Sequence, residues 1–495
     1  MSDPRERPEP IASHVFLLLA CLLLCGIASA TPSITLSKKT GPPTSRILVS
    51  GRGFESNVGV DIFFDTKDKA LVVTNCKGEF HNTGIHAPGS ARPGDHWVTA
   101  LERNSDRGAQ EPFLVQTDWS QFHFKADGTR LNPYENVLNP KTIGSLDLKW
   151  SFNTGTSLAS SLAVVDGMAY VGSYDDNLYA LNARTGANVW SYRASGYVSS
   201  SPAVANGVVY AYDYYGNVYA LNARTGAKLW ISATNGTENY SSPAVANGAV
   251  YLGATDGKVY ALSVRTGAKL WTYATHGVVF SSSTIANRVI YVGSADSKLY
   301  ALDARTGTKL WSYTTGGVVD SSPAVANGVV YIGSWDHNVY ALNARTGTML
   351  WSHTTGGIVD SSPAVANGVV YIASDDKNIY ALDAFTGAKL WSYTTGGAVD
   401  SSPAVANGVV YFGSWDSAVY ALNASTGTLL WTYPTGGVVD SSPAVANGVV
   451  YIGSNDYSVY AFGLKYGSQK ADASSQRPDL NSLRPDLNLK VSPPR

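Results

Sequence analysis

SSPAVANGVVYIGSWDHNVYALNARTGTMLW, residues 321–351, is the stretch that decides the fold of this chain. It contains four strand-like segments, separated by turns at Asn327-Gly328, around Asp336, and at Thr346-Gly347. Asn-Gly accepts the positive φ angles of a two-residue hairpin, and an Asp side chain can cap the turn that it begins. The stretch therefore predicts a four-stranded antiparallel sheet whose last strand carries Trp351.

The same stretch recurs with a period of about 40 residues through the C-terminal two-thirds of the chain, and a tryptophan marks each fourth strand. Such a period indicates a repeat protein, because one unit cannot bury its apolar face alone and must stack on its neighbours. Four-stranded units repeated radially are typical of a β-propeller. We expect the tryptophans to pack between neighbouring units and to be structural; they are Trp150, Trp190, Trp230, Trp271, Trp311, Trp351, Trp391 and Trp431.

The number of inner strands predicts how the ring closes. The inner-strand signature begins at Ser160, Ser200, Ser241, Ser281, Ser321, Ser361, Ser401 and Ser441. The last copy ends near Phe462 without a fourth strand, whereas a spare fourth strand, Leu148–Asn153, precedes the first copy. We therefore predict an all-β chain with an eight-bladed propeller, in which this N-terminal strand completes the final blade and removes an open sheet edge.

One copy departs from the turn pattern. Asn-Gly stands at the first turn of six copies and Asp166-Gly167 in the first copy, but the fourth copy has Asn287-Arg288. A residue with a Cβ atom at a positive φ angle costs about 1–2 kcal/mol. We therefore expect local strain at Arg288 unless the turn changes type.

The chain before and after the repeats divides into four further segments. Residues 1–30 are predicted to be a secretory signal peptide, with an uncleaved anchor or a lipoprotein signal at Cys21 as alternatives. Short β-rich runs between turn clusters predict a small β-sandwich over residues 31–117. Residues 118–147 are interpreted as a polar connector, 148–463 as the propeller, and 464–495 as a disordered tail. That tail contains Arg-Pro-Asp-Leu-Asn twice, so a short linear binding motif is an alternative.

Composition limits the possible functions. The formal net charge is −1, which does not favour a nucleic-acid partner. Cleavage after Ala30 would leave Cys76 as the only cysteine, so we expect no intramolecular disulfide, no cysteine-based metal site and no transmembrane segment in the mature chain. From Trp150 to Tyr460 the only glutamate is Glu238, and no Ser-His-Asp constellation or phosphate-binding loop occurs. We expect a monomer.

The repeats closely resemble those of pyrroloquinoline-quinone (PQQ) propellers. The shared pattern is Ser-Ser-Pro-Ala-Val-Ala-Asn-Gly-Val-Val-Tyr, then Gly-Ser-x-Asp-x-x-x-Tyr-Ala-Leu, then Thr-Gly-x-x-x-Trp. The resemblance implies either a quinone-dependent alcohol or sugar dehydrogenase or a non-catalytic relative such as the outer-membrane assembly lipoprotein. The dehydrogenases typically use a disulfide between adjacent cysteines, a catalytic Asp and bound Ca²⁺. This chain has no such cysteine pair, and Glu238 has no evident carboxylate partner nearby in sequence.

The N-terminal segment resembles a different family. Ile47–Phe54 and the later stretch Ala91–Val98 are similar to bacterial immunoglobulin-like domains of the IPT type. The resemblance implies an immunoglobulin-like β-sandwich that serves as a spacer or an adhesive unit.

The candidate ligand site lies at one end of the predicted ring. The position before each Ser-Ser pair is acidic in the last four copies, and the loop between the second and third strands carries exposed aromatic residues in several copies. Acidic groups beside aromatic rings can bind a cation, a sugar or a peptide. The candidates are Asp320, Asp360, Asp400, Asp440, Trp335, Trp415, Tyr240 and Phe280. The alternative is that these aspartates were copied by duplication and only cap their own strands.

These observations favour an exported, non-catalytic binding or scaffold protein that is secreted, periplasmic or on the cell surface. Its ligand would be a protein, a peptide or a carbohydrate, with no cofactor, no metal site and no catalytic residues. The alternatives are a PQQ-dependent dehydrogenase, which would need PQQ and Ca²⁺, and an outer-membrane protein assembly factor.

Overall fold

The computed structural model describes residues 31–238, 240–465 and 476–483, so the predicted signal peptide lies outside the described residues. The described residues form two compact units: those within 1–88, 94–114 and 473–495 form one, and those within 89–93 and 115–472 form the other. In the ranges that the structure describes, no helix is both long enough and apolar enough to span a membrane. Nearly all regular structure is β-strand.

The N-terminal unit contains two sheets. Their strands are β1 (Ser33–Leu36), β2 (Thr40–Gly41), β3 (Arg46–Arg52), β4 (Gly59–Phe64), β5 (Lys67–Val73), β6 (Phe80–His86), β7 (Gly94–Glu102) and β8 (Gly108–Val115). One sheet has the order β1-β3-β6 and the other β2-β8-β7-β4-β5. Strand β3 alternates buried and exposed residues, as expected for a strand with one solvated face, whereas β4 and the second half of β7 are buried on both faces.

The repeat region follows a short entry segment, which consists of β9 (Leu131–Asn132), a one-turn 3-10 helix (Ile143–Ser145) and β10 (Leu146–Asn153). The first repeat contains β11 (Ala163–Val165), β12 (Met168–Gly172), β13 (Asn177–Asn182) and β14 (Asn188–Arg193), and the second contains β15 (Ala203–Ala205), β16 (Val208–Tyr212), β17 (Asn217–Asn222) and β18 (Lys228–Ala233). The third contains β19 (Ala244–Ala246), β20 (Ala249–Gly253), β21 (Lys258–Ser263) and β22 (Lys269–Ala274), and the fourth contains β23 (Thr284–Ala286), β24 (Val289–Ser294), β25 (Lys298–Asp303) and β26 (Lys309–Thr314).

The fifth repeat contains β27 (Ala324–Ala326), β28 (Val329–Gly333), β29 (Asn338–Asn343) and β30 (Met349–Thr354), and the sixth contains β31 (Ala364–Ala366), β32 (Val369–Ala373), β33 (Asn378–Asp383) and β34 (Lys389–Thr394). The seventh contains β35 (Ala404–Ala406), β36 (Val409–Ser414), β37 (Ala418–Asn423) and β38 (Leu429–Pro434), and the eighth contains β39 (Ala444–Ala446), β40 (Val449–Ser454) and β41 (Ser458–Leu464). Each repeat forms one antiparallel sheet with its strands in chain order, and β9 adds parallel to β35. The described repeat region is therefore an array of eight sheets.

The last sheet is completed by the N-terminal strand. Strand β10 pairs antiparallel with β41 and takes the place of a fourth strand. Trp150 lies opposite Ala461, the same register in which Trp431 lies opposite Ala421 in the preceding sheet. The predicted pairing of Leu148–Asn153 with the final unit is therefore confirmed, and the observed strand begins two residues earlier.

Serine side chains join the inner strands into a closed belt. The backbone N–H of the second serine of each Ser-Ser pair donates to the hydroxyl oxygen of its counterpart in the next sheet, at 2.8–3.0 Å. The belt closes because Ser442 donates to Ser161. Its members are Ser161, Ser201, Ser242, Ser282, Ser322, Ser362, Ser402 and Ser442. The repeated Ser-Ser pair is thus explained by packing between sheets.

The tryptophans join the outer parts of neighbouring sheets. Seven of them donate an indole N–H to a backbone carbonyl of the next unit, as Trp311 does to Ala344 at 3.1 Å. The glycine of the next Thr-Gly turn lies against the ring, and a Cβ atom on Gly347 would come within 2.6 Å of Trp311. The Asn-Gly turns have the expected positive φ angles, and Arg288 has a φ of 65° where other copies have glycine.

The connector differs from its prediction. Residues 118–147 were expected to be a polar linker, but Trp119, Phe124 and Arg130 are at most 3% exposed. The connector follows the free edge of the inner strands and hydrogen-bonds to each of the eight in chain order. Those inner-strand residues are Val164, Val204, Val245, Ile285, Val325, Val365, Val405 and Val445. The innermost strand of a sheet has one unpaired edge, and the connector satisfies it.

Arg130 anchors this connector. Its guanidinium donates to the carbonyl oxygens of Phe122, Pro403 and Pro443 at 2.6–3.2 Å. Burial lowers the pKa of Arg130 to about 9. The guanidinium also lies 4.7 Å from the centroid of the Phe122 ring, a cation–π contact. A buried cation is tolerated here because carbonyl oxygens replace the water that it loses.

Candidate functional site

The candidate site is the mouth, defined as the ring of residues just before each Ser-Ser pair together with the loops between the second and third strands. The first serine of each Ser-Ser pair holds these residues in place. Ser321, for example, accepts from the N–H of Gly333 at 3.0 Å and donates to the carbonyl of Ser361 at 2.9 Å. Because Ser321 is buried and fixed, Asp320 is held at a defined position on the ring.

The predicted aspartates come together with one further carboxyl group. We call Asp320, Asp360, Asp375, Asp400 and Asp440 the acidic crescent. Neighbouring members interact electrostatically: Asp360 with Asp320, and Asp375 with both Asp360 and Asp400. Sequence reasoning missed Asp375, although it stands where the neighbouring copies have the exposed residues Trp335 and Trp415.

Burial raises the pKa values of four members of the acidic crescent, Asp320, Asp360, Asp400 and Asp440. Burial, followed by the charge of Asp360, raises the pKa of Asp320 from 3.8 to about 7. Burial raises the pKa of Asp400 to about 8, helped by a hydrogen bond and repulsion from Asp375. The pKa of Asp360 rises to about 6, again mainly through burial. One oxygen each of Asp320, Asp400 and Asp440 is buried without a hydrogen-bond partner among the described residues.

Two predicted tryptophans stand beside this crescent. Trp335 is 42% exposed and donates its indole N–H to a carboxylate oxygen of Asp360. Trp415 is 49% exposed and makes the equivalent contact with Asp440, which also accepts from the side-chain amide of Asn455 at 2.7 Å. Each ring therefore flanks a carboxyl group while one side stays accessible to a ligand.

The other half of the mouth is aromatic. We call Tyr174, Tyr197, Tyr214, Tyr215, Tyr240 and Phe280 the aromatic crescent. The predicted pair Tyr240 and Phe280 has ring centroids 5.7 Å apart, and Tyr174 stacks on Tyr197 at 5.4 Å. Tyr197, Tyr215 and Tyr240 are about half exposed. Sequence reasoning missed Tyr197 and Tyr215, whose signal was their departure from Val318 and Asp336, which stand at the same positions in the fifth copy.

A different set of aspartates caps the turns. Asp336 accepts from the backbone N–H of Gly316 at 2.6 Å and of Asn338 at 3.0 Å, and from the hydroxyl of Tyr340 at 2.6 Å. These bonds lower the pKa of Asp336 despite its burial. Within the described ranges, no backbone N–H donates to Asp320, Asp360, Asp400 or Asp440 in this way. The capping role thus belongs to the Asp336 position and does not account for the acidic crescent.

Across the part of the chain that the structure describes, no three His, Cys, Asp or Glu side chains are grouped so that they could hold a metal ion. Glu238 accepts from the Tyr214 hydroxyl at 2.7 Å within the aromatic half of the mouth. The free cysteine Cys76 belongs to the N-terminal unit.

Comparison with known proteins identifies one matching family model. The model described as "PQQ_2: Outer membrane protein assembly factor BamB" matches residues 144–278, 274–357 and 336–494, which together cover most of the chain. No curated protein sequence matches.

Several solved structures share the fold. BamB from Moraxella catarrhalis is 20% identical with a TM-score of 0.58, over 64% of this chain and 99% of that one. A europium-containing methanol dehydrogenase is 16% identical with a TM-score of 0.62, over 70% and 98% of the two chains. The quinohemoprotein alcohol dehydrogenase ADHIIG from Pseudomonas putida HK5 is 18% identical with a TM-score of 0.63, over 73% and 82%. These identities establish a β-propeller fold and no more.

Proposed function

The chain belongs to the PQQ_2 repeat family, and from that premise we propose that it is an exported, non-catalytic binding protein whose ligand docks at the mouth. In this proposal the eight sheets are the blades of one closed propeller, and the N-terminal unit is an immunoglobulin-like spacer. A secreted, periplasmic or cell-surface location accords with the predicted signal peptide. The ring provides a rigid frame on which the variable mouth residues determine binding.

The observation that carries the proposal is the division of the mouth into an acidic and an aromatic crescent. Burial and neighbouring carboxyl groups raise the pKa values of Asp320 and Asp400, and a ligand cation would supply the positive charge that offsets this cost. Exposed tyrosine and tryptophan rings beside these groups can stack on apolar or planar parts of the same ligand. We infer that the ligand is a protein or peptide segment that carries Lys or Arg next to apolar side chains.

The test compares two double variants of the full chain, each of which replaces two carboxyl groups with amides. Asp360→Asn/Asp400→Asn alters the acidic crescent. Asp303→Asn/Asp383→Asn alters two exposed turn carboxyls at a position where other copies already have Asn343 and Asn423. Fluorescein-labelled octalysine and octaglutamate are titrated by fluorescence polarisation, and melting temperatures are recorded.

We expect octalysine to bind the wild type. Asp360→Asn/Asp400→Asn should weaken this binding about tenfold or more, whereas Asp303→Asn/Asp383→Asn should not. Octaglutamate should not bind. Equal loss in the two pairs, or loss only in proportion to a lower melting temperature, would contradict a site at the mouth. Binding of neutral oligosaccharides that survives the first pair and disappears in Tyr197→Ala/Tyr240→Ala would instead assign the mouth to carbohydrate.

The alternative of a PQQ-dependent dehydrogenase rests on the fold shared with the two alcohol dehydrogenases. Purified protein is incubated with PQQ and Ca²⁺ and scored for a spectral shift and for dye reduction with alcohols or sugars. Activity that is lost on removal of PQQ would overturn the non-catalytic proposal. Octalysine binding without any spectral shift supports it.

A role in outer-membrane protein assembly is the second alternative, favoured by the description of the matching family and by the BamB structure. It is a special case of protein binding, in which the partner would be a component of that machinery. Deletion of the gene should then lower the level of outer-membrane β-barrel proteins, and the Asp360→Asn/Asp400→Asn variant should fail to restore it. Normal levels after deletion would leave the general binding role.

A further inference from the structure

The tail returns to the N-terminal unit. Residues 466–475 lie outside the described ranges, and the chain is described again from Gln476 to Leu483, ending in a 3-10 helix (Leu480–Leu483). This segment belongs to the same compact unit as strands β1 to β8. The predicted disordered tail, residues 464–495, is therefore wrong for this stretch, and strand β41 already includes Leu464.

The segment covers one face of the five-stranded sheet. Leu483 is 8% exposed and forms an apolar cluster with Phe63 of β4 and Leu101 of β7, against which Leu480 also packs. Thr99 is fully buried on the same face, since residues two apart along a strand point to the same side and Thr99 lies opposite Phe63. The tail thus explains why β4 and β7 are buried on both faces. Without it, apolar side chains of this sheet would be open to water.

A glutamine side chain hydrogen-bonds to the start of the segment. Arg477 donates its Nε to the side-chain oxygen of Gln110 at 2.5 Å, and the Gln110 amide donates to the carbonyl of Pro478 at 2.9 Å. The same amide donates to Thr99 at 3.1 Å, which fixes its orientation. The guanidinium of Arg477 lies 5.6 Å from the centroid of the Trp97 ring. The contacts define a pattern of Arg-Pro, then Leu at the third position after Arg and Leu at the sixth.

The chain contains this ligand sequence twice. Arg477-Pro478-Asp479-Leu480-Asn481 is followed closely by Arg484-Pro485-Asp486-Leu487-Asn488. The three groups that make the first contacts, the Arg side chain, the Pro carbonyl and the Leu side chain, all recur in the second copy. Leu489 stands one position closer to its Arg than Leu483 does to Arg477. The second copy therefore matches the contacts of the Arg, the Pro and the first Leu, and departs from the first copy at the second Leu.

We propose that the face formed by Trp97, Thr99, Leu101, Gln110 and Phe63 is a peptide-recognition site for Arg-Pro-Asp-Leu segments of this chain's own tail. The first copy fills it in cis, and the second copy is an alternative ligand for the same face. Because the tail and the face belong to one chain, a free peptide must compete with an intramolecular ligand and binds the wild type weakly. This site is independent of the mouth.

The test uses full-length variants that keep the face intact. The double variant Arg477→Ala/Leu480→Ala disables the first copy. The quadruple variant adds Arg484→Ala/Leu487→Ala and disables both copies. A fluorescein-labelled peptide of residues 475–483 is titrated against each. The quadruple variant should bind the labelled peptide. The double variant should bind it at least about tenfold more weakly, because its second copy occupies the face. A labelled peptide with Ser482→Ala should bind like the original, and one with Arg477→Ala should not.

Two results would overturn the proposal. Absence of binding to a folded quadruple variant would show that the face is not a peptide site. Equal binding to the double and quadruple variants would show that the second copy is not a ligand. If the quadruple variant does not fold, a wild-type chain carrying a site-specific protease sequence within residues 466–475 is folded first and then cut. The cut tail should exchange with the labelled peptide, and Gln110→Ala should accelerate its release.

Discussion

Replacement of Asp320 by the serine that the second copy carries at the same position, Ser199, should stabilise the protein at alkaline pH. Asp320 is mostly buried, and its pKa is raised from 3.8 to about 7, first by burial and then by Asp360. Between these two values the folded state binds more protons than the unfolded state, so the free energy of unfolding falls as pH rises from about 4 to about 7. Above pH 7 the penalty is constant, and below pH 4 it is absent.

The size of the effect follows from the shift. Each pKa unit corresponds to about 1.4 kcal/mol, so a shift of about three units sets a ceiling of about 4 kcal/mol. Part of the side chain is in contact with water, which screens its charge. We therefore expect Asp320→Ser to raise the free energy of unfolding by about 2 kcal/mol at pH 8. At pH 4 the variant and the wild type should differ little, since the wild-type carboxyl is protonated in the folded state.

Urea unfolding of both proteins, followed by tryptophan fluorescence at unit steps from pH 4 to pH 8, measures this difference. Asp303→Asn is a control of opposite sign, because hydrogen bonds from the side chain and backbone of Thr306 lower the pKa of Asp303. Its loss should lower stability at neutral pH, and that loss should diminish as pH falls below the normal pKa. A stability gain from Asp320→Ser that is equal at pH 4 and pH 8 would refute the reasoning, because the wild-type carboxyl would then not be protonated in the folded state.

Three further outcomes are expected from thermal and urea unfolding. Arg288→Gly should raise the free energy of unfolding by about 1 kcal/mol, because Arg288 has a φ of 65°, and Gly328→Arg should lower it similarly; no change in either would contradict strain at this turn. Arg130→Met should cost about 3 kcal/mol, since three carbonyl oxygens lose their buried donor, and a loss below about 1 kcal/mol would contradict its anchoring role. Trp150→Ala should cost about 3–5 kcal/mol, whereas Trp335→Ala, which removes a half-exposed ring and its hydrogen bond to Asp360, should cost about 1 kcal/mol.

The repeat unit was predictable because its signals are local. Asn-Gly turns require positive φ angles wherever they form hairpins, so Asn327-Gly328 marks its turn without knowledge of the rest of the chain. The pairing of β10 with β41 was predictable from the number of strands in each repeat. The last repeat lacks a fourth strand, and one such strand precedes the first repeat. These inferences used spacing and turn chemistry, which do not depend on distant contacts.

The connector and the tail were not predictable by the same means. The repeated Arg-Pro-Asp-Leu-Asn of the tail indicates a binding motif, but the groups that the connector and the tail contact leave no pattern in the sequence. The connector pairs with backbone N–H groups such as that of Val325, which any residue type would present. The tail depends on one glutamine amide and on apolar side chains of β4 and β7 that are equally expected in a strand core. Few apolar residues in a segment therefore indicated disorder where docking occurs.

Duplication explains why four copies share an aspartate at the mouth, but it does not explain why the cost of keeping them is tolerated. Ala159 and Ser199 stand at the same position beside equally buried serine pairs, so the fold does not require a carboxyl group there. The turn is capped by a different aspartate, as Asp336 shows through its bonds to Gly316 and Tyr340. Clustered carboxyl groups whose pKa values are raised by burial lower stability at neutral pH, and such groups are characteristic of functional sites. A ligand cation would remove this penalty on binding, so affinity should increase as pH rises from 5 to 8, and affinity that is constant over this range would argue against the acidic crescent as its receptor.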